Sequence, residues 1–217
     1  MRAFILAVLM LPVAGCSPPK ARDFELGLIG PVGPGVAAAA RAAGLTVRES
    51  ATQDADLVRA AAAIEGSSWR TEERLADWSV LRFLVARGAV RGRTGVFFVL
   101  PAAPAGKELT DFPEEWQALE RVSRETAALR PILEYGIDES LPFPLPAGIE
   151  ARALRYQGRG YLLLVNDTTS AIALPSDRLK SLRALFEVRA DARDILSSCP
   201  GGRCLPAGNA LWLEGRL

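Results

Sequence analysis

Two glutamates stand where a carboxylate could do chemistry, because each follows a short apolar run. Glu65 comes directly after the run 60–64 and before the small residues 66–68, and Glu49 ends a predicted strand. Hydrolysis by carboxyl groups requires two of them at a fixed separation. The alternative roles for Glu65 are a solvated loop acid or a helix-capping acid. No second acid stands out in the sequence as its partner.

The composition excludes several other kinds of catalysis. The chain has 217 residues and no histidine, so Ser-His-Asp or Cys-His catalysis, an HExxH zinc site and a histidine proton shuttle are all ruled out. The 26 Lys and Arg balance 25 Asp and Glu, which leaves no electrostatic footprint for nucleic acid. We expect a globular protein with no cofactor and no metal.

Residues 1–15 have the pattern of a secretory signal, with Arg2 before the apolar segment 3–13. That segment is shorter than the about 17–25 residues of a membrane-spanning helix. It ends in Val13-Ala14-Gly15-Cys16, which resembles the lipobox of bacterial lipoproteins. The resemblance implies cleavage before Cys16, a diacylglycerol thioether on its sulfur and an acyl chain such as palmitate on its amino group. The alternative is an ordinary signal followed by a chance cysteine.

The predicted tether, residues 16–23, is short, polar and proline-rich. Two or more acyl chains on Cys16 would anchor the chain stably to membrane lipid. In lipoproteins, a non-acidic residue such as Ser17 goes with sorting to the outer membrane. We therefore expect a cell-envelope location, on the periplasmic side of the outer membrane if the host has two membranes.

The two remaining cysteines, Cys199 and Cys204, are predicted to form a disulfide, because exported proteins occupy an oxidising space. Pro200, Gly201 and Gly202 allow the tight reversal that so small a loop needs. Closing it would stabilise the fold by roughly 2 kcal/mol. Two free thiols are the alternative. Two thiolates alone do not complete a zinc site.

The first part of the mature chain alternates between predicted strands and helices, which favours a largely parallel α/β layer over 24–141. The predicted strands are 24–30, 45–49 and 95–100. The predicted helices are 36–43, 55–64, 71–88 and one that opens at Pro113 and ends near Pro131. The glycine-rich turn 30–35 precedes a helix, as phosphate-binding loops do. Its spacing matches no phosphate-binding motif, so we interpret it as a structural turn.

After Leu141 the pattern changes, because Pro142, Pro144 and Pro146 interrupt the chain. Short segments with strand character follow, and they predict a small antiparallel β-sandwich over 146–217. These segments are 150–156, 161–166, 171–174, 182–188 and 210–214, with a hairpin turn at 157–160.

Glu150–Leu217 resembles the β-sandwich domain that follows the barrel of many glycoside hydrolases, in the stretch ARALRYQGRGYLLLVND and the closing LPAGNALWL. Glu73–Leu133 resembles the last helix, strand and helix of such a (β/α)8 barrel, and Phe24–Val47 resembles its first strand and helix. Residues 24–141 are too few for a complete barrel, which needs about 200–250. We therefore expect a shortened barrel-like or open α/β layer with fewer than eight parallel strands.

The same resemblance implies roles for particular residues. Glu65 lies where the family places a nucleophilic glutamate, at the end of a late barrel strand, and Glu49 is a weaker catalytic candidate. Trp69, in a predicted loop, is the candidate for stacking on a sugar, whereas Trp78 and Trp116 fall on apolar helix faces and favour core packing. The acidic cluster of Asp111, Glu114 and Glu115 is expected to complement a helix dipole rather than to bind metal.

Together these features predict a membrane-anchored envelope lipoprotein that is a non-catalytic, glycoside hydrolase-like binding or scaffold module. Its expected partners are membrane lipid through the acylated Cys16 and a glycan or another envelope protein. The alternative is a small divergent glycoside hydrolase that acts on envelope or extracellular glycans through Glu65.

Overall fold

A computed structural model describes residues 23–50, 54–62, 69–71, 74–75, 77–100, 108–179, 181–185, 197–199 and 202–216. The amino-terminal part of this chain is mixed α/β. Its elements are β1 (Glu25–Ile29), α1 (Pro34–Ala42), β2 (Thr46–Arg48), β3 (Asp56–Ala62), β4 (Trp69–Thr71), β5 (Arg74–Leu75), α2 (Trp78–Val90), β6 (Gly95–Val99) and α3 (Pro113–Tyr135).

The remaining elements are mostly antiparallel strands. They are β7 (Ile137–Glu139), β8 (Ile149–Tyr156), β9 (Arg159–Asn166), β10 (Ile172–Leu174), the short helix α4 (Ser176–Leu179), β11 (Leu182–Ala184), β12 (Ser197–Cys199), β13 (Gly202–Leu205) and β14 (Asn209–Gly215).

The first sheet has six strands in the order β2-β1-β6-β3-β4-β5. The pairs β2–β1, β1–β6 and β6–β3 are parallel, whereas β4 and β5 are added antiparallel. Four parallel strands agree with the expectation of fewer than eight. Over the described residues the sheet ends at β2 and β5.

The central strands of this sheet are the apolar runs that the sequence predicts. Leu26 and Leu28 of β1 and Val96 and Phe98 of β6 are at most 2 % exposed, and they share one cluster with the helices. Phe97, which points to the other face, is also fully buried. Burial of both faces accounts for the continuous hydrophobic sequence of β6.

Helix α2 lies at the centre of the fold. It packs against β6 on one side, against α3, and against β8, β9 and β14 of the second sheet. Nine of its residues are buried, Arg82 among them, as is typical of a helix that packs on most of its circumference. Asp77 caps its start, because the Asp77 carboxylate accepts a hydrogen bond from the Val80 amide at 2.9 Å.

The second sheet is antiparallel, in the order β11-β14-β9-β8-β7, and both of its faces are apolar. Leu163 and Trp212 point to the cluster that includes α2. Leu162 and Leu211 point the other way, to a second cluster with Leu205 of the three-stranded sheet β10-β13-β12. The hairpin β8–β9 turns at Gln157-Gly158, both with positive φ, as two-residue type I′ turns require.

The predicted division at 141–146 lies after β7, which already pairs with β8 in the second sheet. The apolar cluster around α2 also continues across it, because Leu154 and Val165 belong to the same cluster as Leu26 and Leu84. The division into two domains stays a prediction.

Several predicted elements are wrong. Of the helix predicted at 55–64 for its alanines, residues 56–62 form strand β3, since pairing with β6 and β4 outweighs intrinsic helix propensity, and residues 63–64 lie outside the described residues. The helix predicted at 71–88 begins only at Trp78, after the small strands β4 and β5. Helix α3 starts at Pro113 as expected but continues through Pro131 to Tyr135. Strand β11 ends at Ala184, earlier than predicted, while β7, β12 and β13 were not predicted at all.

Gly27 is the tightest position in β1. A methyl group there would lie 2.5 Å from the Thr46 carbonyl oxygen and 2.7 Å from a ring carbon of Phe97. We expect Gly27→Ala to lower the free energy of unfolding by about 1–3 kcal/mol, measured by urea denaturation. The control is Gly35→Ala in α1, where the added methyl meets nothing nearer than 3.5 Å and alanine favours the helix. Equal stability of the two variants would contradict this packing.

Candidate functional site

The structure describes only some of the residues that the sequence singles out. Glu49 is exposed just beyond the end of β2. Trp69 begins β4, but its side chain, like the whole of Glu65 and Cys16, lies outside the described residues. Cys199 ends β12, and Cys204 is buried in β13.

The carboxyl ends of the parallel strands define the edge where barrel-type active sites are built. Glu49 follows β2, and the segment with Glu65 follows β3. In the sheet order, β1 and β6 lie between β2 and β3. Three strand spacings of about 4.8 Å separate the two strand ends by about 14 Å. This separation exceeds the roughly 5–9.5 Å between the carboxyl groups of glycosidase pairs, so strand position alone does not pair the two acids.

The glycine-rich turn 30–35 lies at the carboxyl ends of the parallel strands, and the Glu108 carboxylate of the same chain contacts it there. A methyl group on Gly33 would lie 2.0 Å from Glu108 Oε1, so this carboxylate sits directly against the backbone at the start of α1. Glu108 also forms a capping box with Asp111 ahead of α3. An acid at this place complements the positive end of α1. The contact supports the structural interpretation of the turn over phosphate binding.

Two carboxylates of the described chain, Glu150 and Asp167, meet at Arg91. Arg91 Nη2 donates to Glu150 Oε1 at 2.7 Å and to Asp167 Oδ2 at 2.6 Å, and Arg91 Nε donates to Glu150 Oε2 at 2.9 Å. The two carboxylate oxygens share one nitrogen, so their separation cannot exceed roughly 5 Å, close to that of retaining glycosidases. Distance alone would therefore nominate this pair as catalytic.

The electrostatics of the pair argue against that role. The hydrogen bond from Arg91 lowers the pKa of Glu150, and Arg87 adds a further positive charge. Arg87 Nη1 also lies 3.8 Å from Asp167 Oδ1. A general acid needs a raised pKa so that it carries a proton at neutral pH. The cluster therefore acts as an ion-pair network that joins the end of α2 to the second sheet.

One carboxyl group does have a raised pKa. Burial raises the pKa of Glu125, although Arg82, the hydrogen bond from Trp78 and Arg121 each lower it. Trp78 Nε1 donates to Glu125 Oε1 at 3.0 Å, and Arg82 Nε lies 3.5 Å from Glu125 Oε2. The Arg121 guanidinium stacks 3.7 Å from the Trp78 ring centre.

Glu125 lies inside the contact between α2 and α3, at 9 % exposure. Its carboxylate contacts Trp78, Arg82 and Arg121. Trp78 thus packs partly in the core, as predicted, but it also donates a hydrogen bond that the sequence did not indicate. Trp116 likewise donates its indole N–H to Glu120 at 2.9 Å. The contacts of Glu125 with Trp78 and Arg82 hold α2 and α3 together.

Two absences concern only the part of the chain that the structure describes. It contains no cluster of three or more His, Cys, Asp or Glu side chains that could hold a metal ion. Among its helices, none combines the length and the hydropathy needed to cross a membrane.

Comparisons with known proteins give partial likenesses in fold. No protein-family model matches the sequence, and no curated protein matches it. Amy13B from Eubacterium rectale has a TM-score of 0.43 and 13 % identity, covering 63 % of this chain and 34 % of that one. An alpha-amylase from Geobacillus thermoleovorans, solved with acarbose, has a TM-score of 0.36 and 18 % identity, covering 64 % of this chain and 34 % of that one.

A GH30 endoxylanase from Clostridium papyrosolvens has a TM-score of 0.33 and 11 % identity, covering 65 % of this chain and 40 % of that one. An amylase and a xylanase are the kind of enzyme that the sequence resembles. The chain nevertheless spans only 34–40 % of the length of these three structures. At such TM-scores the likeness carries no argument about activity.

Glu125 generates a prediction for stability against pH. Its raised pKa means that the folded protein holds this proton more tightly than the unfolded chain. The free energy of unfolding should therefore fall as pH rises from about 4.3, the unfolded value, through the folded value, by about 1.4 kcal/mol for each unit between them. The absence of histidine removes the side chain that ordinarily titrates between about pH 5 and 8.

Glu125→Gln should abolish that decline, because the amide keeps an oxygen for Trp78 and has no proton to lose. Urea denaturation at several pH values from 4 to 8 measures it. Glu120→Gln is the matched control on the same helix, and its profile should follow the wild type. A decline that persists in Glu125→Gln would assign it to another group.

Proposed function

We propose that this chain is a lipid-anchored module of the bacterial cell envelope that binds or scaffolds other envelope components without catalysing a reaction. The observation that carries the proposal is the sequence Val13-Ala14-Gly15-Cys16 after an apolar segment too short to span a membrane. Acylation of Cys16 would hold the domain at the membrane surface through the tether 16–23, and Ser17 favours the outer membrane in a host that has one.

The described carboxylates support the absence of catalysis. Glu150 and Asp167 are close enough for acid–base chemistry, but both accept hydrogen bonds from Arg91, which lowers the pKa of Glu150. Glu125 has the raised pKa of an acid but is enclosed between helices. Proximity and a raised pKa thus occur at different places, whereas a glycosidase needs both in one cleft.

The expected partner of the module is a glycan or another envelope protein at the carboxyl edge of the parallel sheet. Glu49 is exposed there, and β4, which begins at Trp69, follows β3 at the same edge. An aromatic side chain at position 69 would supply a flat surface for a sugar ring.

A Cys199–Cys204 disulfide forms part of the proposal, since an exported domain would be oxidised. The strands β12 and β13 form an antiparallel hairpin in which Cys199 pairs with Gly202 and Ser197 pairs with Cys204. In this register the backbone position opposite Cys199 is two residues from Cys204, which supports the proposed pairing.

Cys16→Ala tests the anchor. In a bacterial host, the wild-type protein should incorporate labelled palmitate and sediment with membranes, whereas Cys16→Ala should incorporate none and appear in the soluble fraction, because the acylated sulfur and its processing site are gone. Ser17→Ala, which keeps the cysteine, should behave as wild type in labelling. Palmitate incorporation that survives in Cys16→Ala would refute the proposed anchor.

Glu65→Gln tests the absence of catalysis. We expect the purified wild-type protein to release no reducing sugar from envelope polysaccharides or aryl glycosides, and Glu65→Gln and Glu49→Gln to bind glycans as the wild type does on an array. Hydrolysis by the wild type that disappears in Glu65→Gln would establish the glycosidase alternative instead.

A further inference from the structure

Three large apolar side chains between the end of α3 and the residues that follow β7 are exposed to solvent. Tyr135, Ile137 and Leu141 are 49 %, 59 % and 42 % exposed. We call these three residues the α3–β7 patch. Strand β7 is the edge strand of the second sheet, so on its outer side no described strand covers it. A solvent-exposed cluster of this kind in a short segment typically marks a contact surface.

The chain enters the fold directly beside this patch. The amide of Phe24 donates to Glu134 Oε1 at 3.3 Å, and Glu134 is the neighbour of Tyr135 in the last turn of α3. Phe24 is buried at 3 % exposure, whereas Asp23 before it is exposed. The segment that precedes Asp23 therefore leaves the surface next to the α3–β7 patch.

Chain length then limits how far the patch can be from the anchor. The eight residues 16–23 span at most about 29 Å when fully extended, and less in any relaxed conformation. A group tethered so closely to a surface meets it at a high effective concentration, so even a small apolar contact becomes populated.

We propose that the α3–β7 patch rests on the lipid bilayer to which Cys16 anchors the chain. This inference depends on the anchor proposed above. Tyrosine is enriched at membrane–water interfaces, because its ring is apolar and its hydroxyl stays hydrated. The patch is thus covered by a lipid surface. The charges of the neighbouring side chains decide whether this contact prefers anionic or neutral lipids.

Three described arginines near the patch have acidic partners, in the pairs Arg130–Glu134, Arg152–Asp138 and Arg155–Glu139. Paired charges of this kind differ from a polybasic membrane-binding segment, and the nearest cationic residues in the sequence, Lys20 and Arg22, belong to the tether. The contact of the patch itself is apolar and should depend little on lipid charge or on salt.

Photo-crosslinking tests the contact. The full-length lipidated protein is reconstituted into vesicles of phosphatidylethanolamine and phosphatidylglycerol that carry a trace of lipid with a diazirine on its acyl chain. After illumination, peptide mass spectrometry should locate lipid adducts within residues 134–144, and neutral phosphatidylcholine vesicles should give the same pattern. The double variant Tyr135→Ser, Ile137→Asp should lower the adduct yield there at least tenfold, with palmitate content and vesicle retention unchanged.

Leu57→Asp is the matched control, because Leu57 is as exposed as Ile137, at 57 %. Leu57 pairs with Phe97, whose neighbours Val96 and Phe98 point to the helices, so Leu57 faces away from them. This variant should keep the wild-type adduct pattern, and circular dichroism should confirm that all variants are folded.

The outcomes separate this inference from the proposed function. Retained, lipidated protein without adducts in 134–144 would overturn the contact alone. Protein–protein crosslinks through Ile137 in place of lipid adducts would assign the patch to a second copy of the chain and also overturn it. A wild-type protein that carries no palmitate and does not stay with the vesicles would overturn the anchor and the contact together.

Discussion

The burial of helix α2 is the constraint on which the rest of the structure depends. Both sheets pack against this helix, and α3 covers a third side, so its sequence WSVLRFLVARGAV has to satisfy three neighbours. Apolar side chains do this everywhere except at Arg82, which is 2 % exposed. A buried cation is costly unless polar acceptors and aromatic faces surround it, and Glu125 and Trp78 supply them. The position of α3 follows from that requirement, since Glu125 belongs to α3.

The sequence predicts the elements whose signal is local. Strand β6 is a continuous apolar run, α3 opens at a proline after which apolar residues recur at helical spacing, and β8 and β9 flank a glycine turn, so all of these were predicted close to their bounds. Strand β3 was not, because the alanines of DLVRAAA favour a helix in isolation, whereas in the fold they pair with β4 and the four residues before them pair parallel with β6. That pairing joins residues about forty positions apart, which no local window contains.

The polar clusters could not be predicted for the same reason. Arg91 reaches Glu150 and Asp167 across 59 and 76 residues of chain, and nothing near Arg91 in the sequence indicates an ion pair. These clusters also show why carboxylate spacing is a weak criterion for catalysis. Glu150 and Asp167 meet the distance, but Arg91 lowers the pKa of Glu150, while Glu125 holds its proton more tightly but is packed among arginines. Burial of the carboxyl group and its contacts with arginine, rather than the distance between two carboxyl groups, decide what each of them can do.

Because β1, β2, β3 and β6 run parallel, all their amino ends lie on one side of the sheet and all their carboxyl ends on the other. We call these sides the amino edge and the carboxyl edge. At the amino edge, Phe24 enters beside the end of α3, and the exposed Tyr135 and Ile137 lie next to it. At the carboxyl edge, about 15 Å away for strands of five residues, lies Glu49. An anchor attached through the amino edge holds that edge toward the bilayer and turns the carboxyl edge away from it. The surface on which barrel proteins place their ligands would then face the envelope space, where a glycan or a protein partner can reach it.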